Sequence, residues 1–236
     1  MIRIDNFHDM ENKDFRILIP AYNSERYIED LFNRLDRMDL LDKVVVLNDG
    51  STDDTLRICT ERKVTVLSNK KNKGKGAALK LGFRYMEKSG TEFFFTIDSD
   101  LQHDVRFIPD FLNKYENSKA DIIIGNRLGD TKTMPAERIF SNKTTSFIIS
   151  LLAKQKIPDS QSGYRLIKTQ VIKDLVLNSD KFDMESEILI KAGRNGAIIE
   201  SIPISALYEG AHSSISIIRD TYRFIRLIIR SILVKG

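Results

Sequence analysis

In "EFFFTIDSDLQHD", residues 92–104, an apolar, strand-favouring run over 92–98 ends on two carboxylates one residue apart, Asp98 and Asp100. A run that is apolar without alternation is buried on both faces, as in the central strands of a largely parallel sheet. Four more runs of the same kind occur: RILIP (16–20), KVVVLN (43–48), VTVLS (64–68) and ADIIIG (120–125). Helical patterns over 24–38, 52–61, 75–88 and about 105–116 separate them. This alternation predicts an α/β fold with a mostly parallel central sheet and helices on both faces. After a polar tail over 1–14, residues 15–236 are expected to form one domain. In such sheets ligands bind beyond the carboxyl ends of the strands, so chemistry is sought there.

Composition limits the function. Of the 236 residues 42% are hydrophobic and 30% charged, which fits a chain with a sizeable core and neither a disordered nor a collagen-like one. Cys59 is the single cysteine, which excludes an internal disulfide and a cysteine-based zinc cage and fits a reducing compartment. Cytoplasm is therefore expected. The N-terminus lacks the basic start and apolar core of a signal peptide, and export is not expected. The most apolar stretch, FIRLIIRSILV (224–234), is interrupted by Arg226 and Arg230, so no bilayer-spanning segment is expected either. The net charge of +4 favours anionic partners but does not nominate nucleic acid, since the basic residues are not interleaved with aromatics.

Every strand end is polar or flexible: PAYNSE (20–25), NDGSTDDT (48–55), NKKNKGKG (69–76), DSDLQH (98–103) and NR (126–127). Ser24, Ser51 or Thr52 can cap a following helix, and Gly50 or Gly74 can supply a turn. A cap requires one polar side chain, and Asp98 with Asp100 supplies two. Carboxylates at i and i+2 can converge on a hard divalent cation, with Gln102 adding an oxygen, whether for chemistry or for a structural calcium. The lysine and glycine loop lacks GxxxxGK[ST], so it is not a P-loop for ATP.

Together IPAYNSE, NDGSTDDT, NKGKGAAL, DSDLQH and SQSGYRL resemble the family 2 glycosyltransferases, and within them the polyprenyl-phosphate branch typified by dolichol-phosphate mannose and glucose synthases. The resemblance covers roughly residues 15–215. It implies a GT-A fold with a nucleotide-binding half over about 15–127 and an acceptor half over about 128–215. A UDP- or GDP-sugar would then lie across the strand ends, with Mg2+ or Mn2+ bridging its diphosphate to Asp98, Asp100 and Gln102. Pro20, Ala21, Tyr22, Asn23 and Glu25 match the first strand end, Asp49 the carboxylate facing the base, and Lys73, Gly74, Lys75 and Ser99 the loops around the donor. Asn48 stands where many relatives carry an aspartate, a mild departure. Gln161, Ser162 and Gly163, with Asp159, would shape the sugar pocket and Arg165 would support it.

The acceptor class turns on protons. A hydroxyl acceptor needs a positioned carboxylate to take its proton, and FDMESEI (182–188) offers Asp183 and Glu185. A lipid phosphate is already anionic and needs cations instead. Arg127, Arg138, Ser141, His212 and Ser213 are the expected phosphate contacts. A polyprenyl phosphate, dolichyl or undecaprenyl, is accordingly the first expectation, met peripherally at the inner face of the cell membrane. A hydroxyl acceptor is the alternative, and a silent nucleotide-binding scaffold is the alternative of another class. The last helix, about 215–235, places Arg219, Arg223, Arg226 and Arg230 at spacings of four, three and four, a basic stripe on an apolar helix.

Overall fold

The computed structural model describes residues 14–129, 131, 134–205 and 217–233, with the side chains of 223–232 described in the last helix. The apolar runs become strands β1 (Phe15–Ala21), β2 (Val44–Asn48), β3 (Thr65–Ser68), β4 (Phe93–Thr96) and β5 (Ile122–Asn126). Two further strands follow, β6 (Arg165–Lys168) and β7 (Ile199–Pro203). The seven-stranded sheet runs in the order β3-β2-β1-β4-β6-β5-β7. Only β6 is antiparallel, inserted between β4 and β5, which it meets through Phe95↔Leu166 and Ile123↔Leu166. The five strands expected from the sequence are all present. β6 follows directly on the polar SQSGY segment, which masks its short apolar run.

Alternate residues of each central strand enter opposite cores, as the period of two requires. Ile17, Ile19, Val46, Phe95 and Ile123 pack on one side with helices α1 (Glu25–Asp36), α2 (Thr55–Glu61) and α4 (Ile108–Glu116). Leu18, Val45, Leu47, Phe94, Ile122 and Ile124 pack on the other. There they meet α3 (Lys75–Ser89), α5 (Ala136–Ala153), α6 (Thr169–Lys173) and α7 (Asp183–Arg194), with Leu227 of α8 (Ile217–Leu233). Helices thus cover both faces, and the strand ends are the free rim. Gly82 lets α3 lie directly on the sheet, because a Cβ there would come within 2.8 Å of Leu18 and Leu47. Among the described residues no helix is long and apolar enough to cross a membrane.

Candidate active site

The strand-end loops are tied to one another by side chains. Asn23 sits at φ 50, a left-handed conformation that asparagine tolerates, and its Oδ1 accepts from Thr52 N at 2.8 Å. Ser51 Oγ accepts from Asn23 N, and Thr55 Oγ1 from Ser24 N at 2.8 Å. Glu25 accepts from Asp54 N, while Ser24 and Ser99 share a hydroxyl contact of 2.9 Å. Ser24 therefore stands at the start of α1 without capping it, and Asp54, rather than Ser51 or Thr52, precedes α2. These polar residues join loop to loop. Tyr22 is an exposed large side chain at this rim, 47% accessible.

Asp49 is buried, and its carboxylate accepts from Asn69 Nδ2 at 2.7 Å, Lys73 N and Gly74 N at 2.6 Å. It anchors the loop that leads into α3. Next to that loop an open cleft of about 510 Å³ is lined by Ser68, Asn69, Lys70, Lys71 and Lys73. The glycines that follow admit a second segment. A Cβ on Gly74 would meet Lys181 Cδ at 2.2 Å, and one on Gly76 would meet the Asp180 backbone at 2.6 Å. Ala77 N donates to Asp180 O and Lys80 Nζ to Asp180 Oδ1, so the stretch before α7 is clamped on the start of α3.

That clamp brings segments distant in sequence together at Lys75. Its ammonium lies 2.6 Å from Asp98 Oδ1, beyond β4, and 2.7 Å from Glu185 Oε2 on α7. Burial works against its charge, yet the two carboxylates hold it above the ordinary lysine range. For Asp98 burial acts upward, but Lys75 and His103 hold the carboxyl well below its usual range. His103 is buried, with Nε2 3.7 Å from Asp98 Oδ2 and its ring 5.4 Å from Tyr164. Asp100 moves the other way, pushed up by burial and by the negative charge of Asp98. Gln102 donates to it from N and from Nε2, the latter at 2.6 Å.

Two close carboxylates that resist ionising together, with an amide alongside, are an all-oxygen donor set suited to a hard dication. Among the described residues no cluster of three or more His, Cys, Asp or Glu could hold a metal unaided. A hard dication held by one or two carboxylates would complete its shell from substrate phosphates. Asp98, Asp100 and Gln102 would hold the ion, and its chemistry would be charge neutralisation at a departing diphosphate.

The SQSGYR segment lies against the same carboxylates. Gly163 packs directly on Asp98, where a Cβ would come within 2.3 Å of Oδ2, and its carbonyl accepts from Thr96 Oγ1 at 2.9 Å. Arg165, fully buried, donates to Ser162 O, Ser160 O and Glu185 O, each at 2.9 Å. It thus positions both the loop and the first turn of α7, in keeping with the supporting role expected from the resemblance; as a candidate catalytic residue it makes only these backbone contacts. Ser162 is also buried, whereas Gln161 is exposed. Asp183 opens α7 with its Oδ1 buried and without a hydrogen-bond partner.

Arg127 was expected at an acceptor phosphate; its guanidinium is instead engaged by Asp159, through Nε at 2.8 Å and a second nitrogen at 3.0 Å, both side chains buried. Burial acts to raise Asp159, and the Arg127 contacts outweigh it and hold the carboxyl low. Arg127→Ala should leave a buried carboxylate without its partner and cost about 3–5 kcal/mol of stability, read from the urea midpoint. An unchanged midpoint, with a raised KM for acceptor alone, would restore the phosphate role. Arg138 is half-buried and Ser141 exposed, both on α5, while His212 and Ser213 lie outside the described residues.

A parallel sheet with loops of this kind at its carboxyl rim, and a paired-carboxylate site between a lysine–glycine loop and a second half, defines a GT-A glycosyltransferase. The solved structure of glucosyl-3-phosphoglycerate synthase from Mycobacterium tuberculosis with Mn2+, UDP and glucosyl-3-phosphoglycerate has the same fold, with a TM-score of 0.69 at 19% identity, covering 97% of this chain and 81% of that one. The model of glycosyl transferase family 2 matches residues 16–176, and the chain belongs to that family. It is 29% identical over 221 residues to the UDP-N-acetylglucosamine–dolichyl-phosphate N-acetylglucosaminyltransferase of Methanococcus voltae, covering 84% of this chain and 88% of the relative. It is also 32% identical over 195 residues to the dolichol-phosphate mannosyltransferase of Pyrococcus furiosus, covering 78% of this chain and 54% of that longer protein.

Lys75 was expected at the donor, but its bridge to Glu185 was not. Nothing local in the sequence links residue 75 to residue 185; the only cue is the pair of small residues flanking Lys75, which leaves room for another segment.

Proposed function

We propose that this glycosyltransferase moves one sugar, with inversion, from a UDP- or GDP-sugar to a polyprenyl phosphate at the inner face of the cell membrane, with Mg2+ or Mn2+ as cofactor. One observation carries the choice of acceptor: Glu185, the carboxylate a hydroxyl acceptor would use as base, is closed in an ion pair with Lys75 at 2.7 Å. Taking a proton would neutralise the charge that holds Lys75 there. A phosphate oxygen brings its own charge and makes no such demand. The named activities of the two dolichyl-phosphate relatives support the same acceptor class.

In this proposal Tyr22, exposed at the end of β1, and Asp49 lie on the side of the nucleoside, while Lys73 and Lys75 face the diphosphate. Asp98 and Asp100 carry the bridging cation, and Gly163 with Arg165 keeps the acceptor loop against them. A second possibility, a hydroxyl acceptor with Asp183 as base, is favoured by the buried and unpartnered Oδ1 of that residue.

Glu185→Gln and Asp183→Asn, made separately, distinguish the two readings. With a polyprenyl phosphate acceptor kcat should fall by less than about tenfold, since Lys75 retains Asp98 and no proton is removed from the nucleophile. Loss of a general base typically costs about 10²–10⁴ in rate. A fall of that size on a phosphate acceptor would refute the proposal.

A further inference from the structure

Helices α5 and α8 lie against each other and share α7 as a neighbour. The inner face of α5 is committed: Ser146, Ile149 and Ala153 are buried, and Ser146 Oγ accepts from Ser160 N at 2.9 Å in the loop that leads to Gly163. Its outer face is unusual for a surface helix, because Phe140, Phe147 and Leu151 are 75%, 65% and 64% exposed. Spacings of seven and four place all three on one side. The neighbouring α8 repeats the arrangement with Ile225, Ile229 and Ile232, 49%, 51% and 60% exposed, at spacings of four and three. Single exposed apolar residues need no explanation; two adjacent helices each carrying a row of them do.

We propose that these two rows form a docking face for an anionic lipid surface. Charge complementarity selects the occupant. Arg226 and Arg230 are exposed one helical turn apart beside the isoleucine row, and the described side chains of α8 include no carboxylate. Lys143 is exposed on α5 and Lys154 just past its end, while Glu137 in the first turn is the one exposed carboxylate of that helix. An apolar row flanked by arginines suits the headgroup boundary of a bilayer, where the hydrocarbon takes the apolar side chains and anionic headgroups take the cations. A second copy of the chain would set like charges against one another across a two-fold axis. The inference rests on the polyprenyl phosphate acceptor proposed above, since such an acceptor resides in the bilayer, and α5 joins the docking face to the acceptor loop through Ser146.

The test is co-sedimentation of the full chain with vesicles of phosphatidylcholine alone and of phosphatidylcholine mixed with phosphatidylglycerol. Wild type should sediment with the anionic vesicles, and less as salt rises. Replacing Phe140, Phe147 and Leu151, or Ile225, Ile229 and Ile232, by serine should weaken binding at least about tenfold. Arg226→Gln and Arg230→Gln should each weaken it about fivefold. All these positions are exposed, and an unchanged thermal melt confirms that the variants fold. Wild type remaining in the supernatant, or variants sedimenting like wild type, would overturn the proposal. So would a dimer in light scattering that the same substitutions dissociate, which would assign the face to self-association. A short, water-soluble prenyl phosphate without vesicles isolates the acceptor question: the variants should use it at the wild-type rate. If no form of the protein uses it while wild type still sediments and the variants do not, the acceptor assignment fails and the docking face stands.

Discussion

Asp100→Asn should abolish most turnover, by about 10²–10³ or more, while leaving the protein as stable as wild type or more so. Both effects come from one cause. Asp100 is pushed above the ordinary carboxylate range by burial and by Asp98. A carboxyl raised in the folded state binds its proton more readily there than in the unfolded chain, so its ionisation opposes folding. Stability attributable to Asp100 is therefore lost as pH rises through its raised folded value, and neutral asparagine removes that cost. Asparagine keeps an oxygen for one of the two Gln102 contacts, the one from the backbone N, so the loop should hold. The charge that opposes folding is the one a bridging cation and a departing diphosphate require. Turnover and thermal melts of both proteins, the melts taken across pH 3 to 7, would check the pair of effects. A variant with normal turnover at saturating Mn2+ or Mg2+ would remove Asp100 from the site, and a variant much less stable at neutral pH would show that its ionised form supports the fold.

Gly163→Ala should be nearly as damaging, although it adds one methyl group and touches no substrate. The new Cβ would lie 2.3 Å from Asp98 Oδ2 and 2.8 Å from its Cγ, too close for any packing. Either the carboxylate rotates off Lys75 or the loop held by Arg165 moves away. Displacements of about 1 Å in positioned groups can cost about a hundredfold in rate, and that loss is expected in kcat. The fold should survive, because Arg165 still ties the loop through two carbonyls, Ser160 O and Ser162 O, and holds α7 through Glu185 O. Gly163→Ala with unaltered kcat would mean that the Asp98 carboxylate need not stay where Lys75 and Gly163 hold it.

The sequence exposed the parts of this protein that local patterns record. Apolar runs gave β1 to β5 within a residue or two, and the strand-end polar clusters marked the rim where Asp98, Asp100, Asp49 and Lys75 gather. Long-range pairings are another matter. β6 enters the sheet antiparallel between β4 and β5, and no period in its short run RLIK encodes that neighbour choice. The pairing of Arg127 with Asp159, and of Lys75 with Glu185, joins residues 32 and 110 positions apart, which the crossover of the chain creates and composition does not. The glycines misled in a related way. Gly74 read as a turn former, which its φ of 110 bears out, and Gly163 as part of a sugar pocket, but neither reading showed that their missing side chains admit Lys181 and Asp98. Ser24 read as a helix cap because serine favours that position, but tertiary contact with Ser99 claimed its hydroxyl.

The most direct measurement supplies purified protein and Mn2+ or Mg2+ with radiolabelled UDP- and GDP-sugars and a polyprenyl phosphate, and follows label into a butanol-soluble product. A labelled lipid that forms only with metal and polyprenyl phosphate, with no product from the free alcohol of the same chain, is the predicted result. Label passing to the alcohol or to a glycan hydroxyl, and not to the phosphate, would contradict it.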